Sequence, residues 1–170
     1  MLKTVLPDDA VIVLEAPSAT LALRNQLRLS RPGSYYFGAG GGLGFWLAAS
    51  LGVQLADPGR QVVAVIGEGS AQYAIQAFWT AAAYRIPVTF LVLRNEEYAI
   101  LKWFGMLENV TGAPGLDLPA LDVAAVAAGY GVQSVHADSV DALRAELPEA
   151  LASGGPALVE ARVAPGMALV

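Results

Sequence analysis

Apolar residues gather in short runs at Val11–Glu15, 61–67, 88–94, 132–136 and 157–163, and several of these runs are apolar at consecutive rather than alternate positions. A strand with that pattern is buried on both faces, as in a parallel sheet covered by helices on each side. Between the runs, apolar residues recur at helical spacing, which predicts helices over 18–29, 43–56, 71–85, 96–104, 121–129 and 140–153. Strands and helices in alternation predict an α/β fold with a doubly wound, mainly parallel sheet and helices on both faces. A chain of 170 residues is expected to form one domain over 1–170 with a core of its own. The stretch 106–119, with Gly112, Pro114, Gly115 and Pro119, is the one long irregular loop. Ligands of open α/β sheets sit beyond the carboxyl ends of strands, so chemistry is expected in the loops after Glu15, Gly67 and Arg94.

Composition narrows this picture. The chain has no Cys, which rules out disulfides, zinc-thiolate sites and a Cys nucleophile, and points to a reducing, cytoplasmic setting. Ten Lys and Arg against 15 Asp and Glu give a net charge of -5, and no basic cluster follows a phosphate backbone, so nucleic acid is not an expected partner. The apolar fraction of 55% raises the question of a membrane, but the weakly polar stretch 37–53 is interrupted by five glycines and Ser50 before Gly52 and falls short of the ~20 apolar residues of a spanning helix. Residues 1–7, with one cation and no long apolar run, do not resemble a signal peptide. A large buried interface, as in a homo-oligomer, is the expected use of the surplus apolar surface.

The most informative loop is Gly67-Glu68-Gly69-Ser70, between an apolar strand and an Ala-rich helix. Two glycines allow a tight turn and close approach to a ligand, Ser70 is placed to cap the helix, and amides at a helix start attract phosphate. Glu68 would repel that phosphate unless a cation lay between them, which suggests Mg2+. The next strand ends in Arg94-Asn95-Glu96-Glu97-Tyr98, with Asn95 27 residues beyond Glu68. That interval fits one helix and a returning parallel strand, which would bring both tips to one edge of the sheet. On the residues alone, this pattern also describes an ordinary strand-to-helix turn, and the glycines from Gly38 to Gly44 also describe close helix packing.

Gly-Glu-Gly-Ser followed by Asn at a strand end resembles the thiamin-diphosphate motif written GDG...NN. The runs Pro32-Gly33-Ser34-Tyr35-Tyr36-Phe37, Gly41-Gly42-Leu43-Gly44-Phe45, Trp79-Thr80-Ala81-Ala82, Ile86-Pro87 and Pro114-Gly115-Leu116-Asp117 are similar to the C-terminal domain of the benzoylformate decarboxylases and related thiamin-diphosphate-dependent 2-oxoacid decarboxylases. The resemblance covers nearly the whole chain. It implies that Glu68, the Asn95 side-chain oxygen and the Glu97 main-chain carbonyl bind Mg2+. Ser18, Gly69, Ser70 and Tyr98 would hold the diphosphate, Gly41 would meet the aminopyrimidine, and Leu43 would press between the two rings. Ile100, Leu101 and Phe104 would face the side chain of a small 2-oxoacid.

The same resemblance implies an activity shared between domains. The family's middle and pyrimidine-binding domains are not in this sequence, and the Glu that activates the pyrimidine comes from the latter, on the same or a separate chain. No catalytic residue is therefore assignable here, and the chain is expected to be inactive alone. Acetolactate synthesis, aldehyde carboligation and a non-catalytic assembling domain are the alternatives. Two positions depart from the family pattern: Glu68 stands where it has Asp, and Arg94 where it has the first Asn. The shorter Asp would suit octahedral Mg2+ better, so Glu68→Asp is expected to strengthen binding. Arg94 is expected either to help neutralise phosphate or to point to solvent. His136, the only histidine, sits at a strand end with no evident partner and reads as a surface residue.

Overall fold

In the computed structural model, which describes residues 2–168, six parallel strands form one sheet in the order β2-β1-β3-β4-β6-β5. The strands are β1 (Val11–Glu15), β2 (Tyr35–Phe37), β3 (Val62–Gly67), β4 (Thr89–Arg94), β5 (Gln133–Ala137) and β6 (Ala157–Arg162). The helices are α1 (Leu2–Val5), α2 (Thr20–Gln26), α3 (Phe45–Ala56), α4 (Glu68–Ala71), α5 (Ala77–Tyr84), α6 (Ala99–Leu107), α7 (Val123–Gly129) and α8 (Val140–Ala152), with a 3₁₀ turn at Pro17–Ala19. None of the described helices is long and apolar enough to cross a membrane.

The consecutive apolar positions explain the layering, because successive side chains of a strand point to opposite faces. Val11, Val13, Val62, Ala64, Ile66, Phe90, Val92 and Leu158 pack on one face with Leu47, Phe78 and Val123 from the helices. Ile12, Leu14, Val63, Val65, Leu91, Ala157 and Val159 pack on the other with Leu147 and Ala150. Both faces are thus covered, as the strand pattern requires.

Three local departures from the expected elements have physical causes. The helix expected over 18–29 begins as a 3₁₀ turn at Pro17 and ends at Gln26. The helix expected over 71–85 is split: between α4 and α5 the amides of Tyr73, Ala74, Ala77 and Phe78 bond three residues back rather than four. That tighter winding carries the chain away from the strand end before α5 begins. Strand β2 was not expected; it is three residues long, pairs only with β1, and two of its residues are exposed.

Candidate functional site

The chain runs from β1 to β2 on one side and then crosses back to β3 on the other side of β1. That reversal opens a crevice at the carboxyl ends of β1 and β3, the place where doubly wound sheets bind ligands. A shallow cleft of about 30 Å³ lies there, lined by Ser18 after β1, by Gly67, Glu68, Gly69 and Ser70 after β3, by Asn95, Glu97 and Tyr98 after β4, and by Leu43 and Ile100. Pro17 and Leu43 also line a second cleft of about 220 Å³ that includes Gly41 and Gly42. Ser18, Leu43, Glu68, Gly69, Ser70, Asn95, Glu97, Tyr98 and Ile100 therefore meet in one place, with Gly41 in the adjoining cleft.

Glu68 is the electrostatic centre of the first cleft. It is 2% exposed, and among the described residues no ion pair includes it. Its Oε1 accepts the amides of Asn95 at 3.0 Å and Glu96 at 2.6 Å. Burial pushes its carboxyl above the usual carboxylate range, although these backbone amides pull the other way. The extra methylene of Glu68 thus has a use: its carboxylate reaches across to the turn after β4, where Glu96 adopts a φ of 64°. Asn95, 8% exposed, accepts the amide of Glu97 on Oδ1 at 3.2 Å. An amide oxygen has a second lone pair, which remains for a ligand. The Glu97 carboxylate is committed to Lys102 and to the amide of Gly166 at 2.6 Å, and its hydrogen bond from Lys102 holds it below its ordinary value. Only the main chain of Glu97 is left for the cleft.

Gly69 and Tyr98 are fitted to each other. A Cβ on Gly69 would lie 2.4 Å from the Tyr98 ring, and the Tyr98 hydroxyl donates to the Gly69 carbonyl at 3.4 Å. Burial, with the neighbouring Tyr73 hydroxyl, raises the Tyr98 phenol, so it remains protonated at neutral pH. Ser70 does not cap a helix: α4 starts at Glu68, Gly67 is its N-cap, and Ser70 lies inside that single turn. By contrast, a Cβ on Gly40, Gly41 or Gly42 would meet nothing within 4 Å. Packing within the chain does not explain that run of glycines; Gly41 has a φ of 68°, in the left-handed region that favours glycine, and Gly41 and Gly42 line the second cleft. The donor set fits a diphosphate cofactor held through a hard cation: a buried acid without a cationic partner, an amide oxygen, and room along the glycine loop.

Other expected residues lie elsewhere. Leu101 and Phe104, 46% and 49% exposed, line a separate apolar groove with Met106, Val110 and Leu116, formed between α6 and the 108–117 loop. That loop returns to pair with the strand end, Glu97 bridging Asp117 and the Tyr98 amide donating to the Leu116 carbonyl. Arg94 meets neither expectation for it. Its guanidinium pairs with Glu160 at 2.8 Å, Glu96 at 2.8 Å and Asp138 at 3.2 Å. Glu160 is 2% exposed, so Arg94 neutralises a buried carboxylate on β6 rather than phosphate. His136 does have a partner, Asp122 Oδ1 at 2.9 Å from Nε2. Asp122, His136 and Glu160 offer donor atoms within 4.8 Å of one another, but a cation there would compete with Arg94. Asp122 also caps α7 through the Ala125 amide, which holds its carboxyl below the ordinary value.

Two features of the site have weaker signals in sequence. Glu15 closes an apolar strand, and its carboxylate accepts the amides of Gly44 and Trp46 across the glycine loop. The chain near its end runs beside the cleft, with the Ala168 amide bonded to the Ser18 carbonyl at 2.9 Å and the Gly166 amide to Glu97.

A parallel doubly wound sheet with a glycine-lined, acid-bearing crevice at its switch point defines a nucleotide- or diphosphate-binding class. Within it, residues 17–161 match the model of the thiamine pyrophosphate enzyme C-terminal TPP binding domain, and the chain belongs to that family. It is 48% identical over 154 residues to benzoylformate decarboxylase from Pseudomonas aeruginosa, covering 91% of this chain and 29% of that protein. The solved thiamine diphosphate-dependent 4-hydroxybenzoylformate decarboxylase of Rhodococcus jostii RHA1 superimposes with a TM-score of 0.93 at 44% identity, over 96% of this chain and 31% of the other. Benzoylformate decarboxylase from Polynucleobacter necessarius gives the same TM-score at 34% identity, over 99% and 33%. The chain thus spans about a third of the length of these relatives.

Proposed function

We propose that this chain is the cofactor-binding part of a 2-oxoacid decarboxylase of the benzoylformate decarboxylase kind, with Mg2+ tying the diphosphate to the protein. Glu68, the Asn95 side-chain oxygen and the Glu97 main-chain carbonyl hold the metal. Ser18, Gly69, Ser70 and Tyr98 hold the diphosphate, the Tyr98 phenol as a donor. When bound, thiamin diphosphate supplies the electron sink for loss of CO2 from a 2-oxoacid. The chain's own residues bind and orient it: Leu43 stands between the two clefts, Gly41 leaves its main chain open to the second, and Ile100 supplies apolar surface at the first. One observation carries this reading: Glu68 is buried without a cationic partner among the described residues, directly beside Asn95. A divalent cation is what such a carboxylate lacks.

Activity requires a partner. No residue of this chain is assigned the proton transfer that activates the pyrimidine, and Phe45 and Tyr73, at the Gly44 end of the glycine loop, are 64% and 62% exposed. These aromatics support a covering pyrimidine-binding domain, on the same or another chain, and assembly as a homo-oligomer. The exposed aromatics equally favour the second reading, an assembling domain without catalysis. The test is CO2 release from benzoylformate, with saturating cofactor and Mg2+, by the purified chain and then by the chain mixed with a complementary pyrimidine-binding domain. The proposal expects no turnover from the chain alone and turnover from the mixture. Robust turnover by a monomer would contradict it, and a mixture that assembles but stays inactive would favour the second reading.

A further inference from the structure

Helix α3 is 12 residues long, and its N-cap, Gly44, has no side chain with which to satisfy the first amides. Glu15 does so from a different element, 29 residues earlier in the chain. At the carboxyl end of β1, with 5% exposure, it accepts the Gly44 amide on Oε1 at 2.5 Å and the Trp46 amide on Oε2 at 2.7 Å. Both carboxylate oxygens are thereby spent on one turn, and the negative charge lies at the positive end of the helix dipole. The turn has little freedom left on its other sides. Gly44 has a φ of 93°, and a Cβ there would lie 2.4 Å from Cβ of Tyr73. A Cβ on Gly38 would lie 2.6 Å from Nε1 of Trp46. Between these two fixed ends the Gly41 amide bonds the Gly38 carbonyl at 3.3 Å, and an added Cβ on Gly40, Gly41 or Gly42 would meet nothing within 4 Å, so little side-chain packing among the described residues holds the loop in place.

We propose that Glu15 is a positioning residue for the ring half of the cofactor: by clamping Gly44 and Trp46 it fixes the 38–44 loop so that Gly41 and Leu43 are presented to the cleft before any ligand arrives. The inference rests on the thiamin diphosphate reading above. Glu15 acts through the loop and not on the diphosphate, which the residues after β3 and β4 hold. Preorganisation of this kind spares the ligand the cost of ordering a glycine-rich segment.

Calorimetric titration of the protein with thiamin diphosphate and, separately, with inorganic pyrophosphate, both with Mg2+, separates the two halves. Glu15→Gln is expected to weaken thiamin diphosphate binding by about tenfold or more while pyrophosphate affinity stays within about twofold. In a double-mutant cycle, Leu43→Ala and Glu15→Gln should be clearly non-additive, since both act on the same contact. Equal losses for both ligands, no loss for either, or additive effects would overturn the inference. A wild-type chain that binds neither ligand would instead overturn the cofactor reading itself. Should Glu15→Gln fail to fold, hydrogen exchange on the wild type reads the clamp directly. The amides of Gly44 and Trp46 should be protected without ligand, whereas those of Gly40 and Gly42 become protected with thiamin diphosphate but not with pyrophosphate. Exchange at Gly44 and Trp46 as fast as at Gly40 and Gly42 without ligand would overturn the clamp.

Discussion

Replacing Glu68 with Gln separates a metal ligand from a structural staple, because the two roles predict opposite changes in stability. Gln keeps the shape and an oxygen that can accept the Asn95 and Glu96 amides at 3.0 and 2.6 Å. Exchanging a charged acceptor for a neutral one loses about 1 kcal/mol per bond, or ~2 kcal/mol in all. Against this stands the cost of burying an unpaired charge, which is several kcal/mol. The direction of the Glu68 shift decides between them: burial outweighs all four backbone amide interactions, so the charged form is a net burden on the folded chain. Glu68→Gln without ligand should therefore melt no lower than the wild type. With thiamin diphosphate and Mg2+ at about 100 times the wild-type Kd, the wild type gains ~2.7 kcal/mol. For a chain of this size that is a rise of roughly 5–11 °C. Loss of a direct ligand should weaken binding by about 100-fold or more, since even outer-shell changes cost 10–100-fold, and the variant then gains only ~0.4 kcal/mol. Thermal melts with and without ligand, backed by calorimetric titration, measure both quantities. A variant that melts well below the wild type yet keeps the full ligand-induced shift would refute the reasoning, because Glu68 would then be only the staple of the β4 turn.

Other substitutions probe the same account. Glu68→Asp should weaken binding rather than strengthen it, because an arm shorter by roughly 1.3 Å withdraws from both amides of the turn; tighter binding in titrations would show that metal geometry dominates. Asn95→Ala should reduce Mg2+-dependent cofactor affinity far more than His136→Ala, since His136 meets only Asp122; equal effects would remove Asn95 from the metal site. Arg94→Met leaves Glu160 buried and unpaired and should cost about 3–5 kcal/mol in denaturant unfolding, with a loss under about 1 kcal/mol counting against the pairing. The pH dependence follows from the sign of the Glu68 shift. Its folded value lies above its unfolded one, so the fold loses stability as pH rises from the unfolded value through the folded value, and metal binding, which needs the carboxylate, gains over the same window. Binding at a pH within that window should release protons, detectable as a buffer-dependent binding enthalpy, and Glu68→Gln should release fewer, leaving those of the diphosphate.

The parts of the fold legible in the sequence were those with a strong repeated pattern. Consecutive Val, Ile and Leu in β1, β3 and β4 announced a sheet buried on both faces, and the strand ends they defined led directly to Glu68 and Asn95. Strand β2 escaped because Tyr35–Phe37 is short, flanked by Gly33 and Gly38, and largely exposed. The split between α4 and α5 escaped because an Ala-rich run does not reveal whether amides bond three or four residues back. In the site, the main gaps were long-range polar pairs. Glu15 and Glu160 each interrupt or end an apolar strand, which is a legible signal of a buried charge with a partner. Their partners, the Gly44 and Trp46 amides and Arg94, are 29, 31 and 66 positions away or more precisely set by topology than by spacing. For Leu101 and Phe104 spacing alone suggested core and only the resemblance turned them, with Ile100, toward the substrate; in the structure Ile100 lines the first cleft and the other two line the groove beside α6.

The central claim is that a divalent cation between Glu68 and Asn95 anchors the diphosphate at Gly69 and Ser70. It is tested most directly by diffraction from crystals grown with thiamin diphosphate and Mn2+ in place of Mg2+, using the anomalous signal of manganese to locate the metal. The account predicts one strong peak within bonding distance of the Glu68 carboxylate, the Asn95 side-chain oxygen and the Glu97 carbonyl, with diphosphate density against Gly69 and Ser70. A metal peak at Asp122, His136 and Glu160 instead, or cofactor density with no metal beside Glu68, would contradict it.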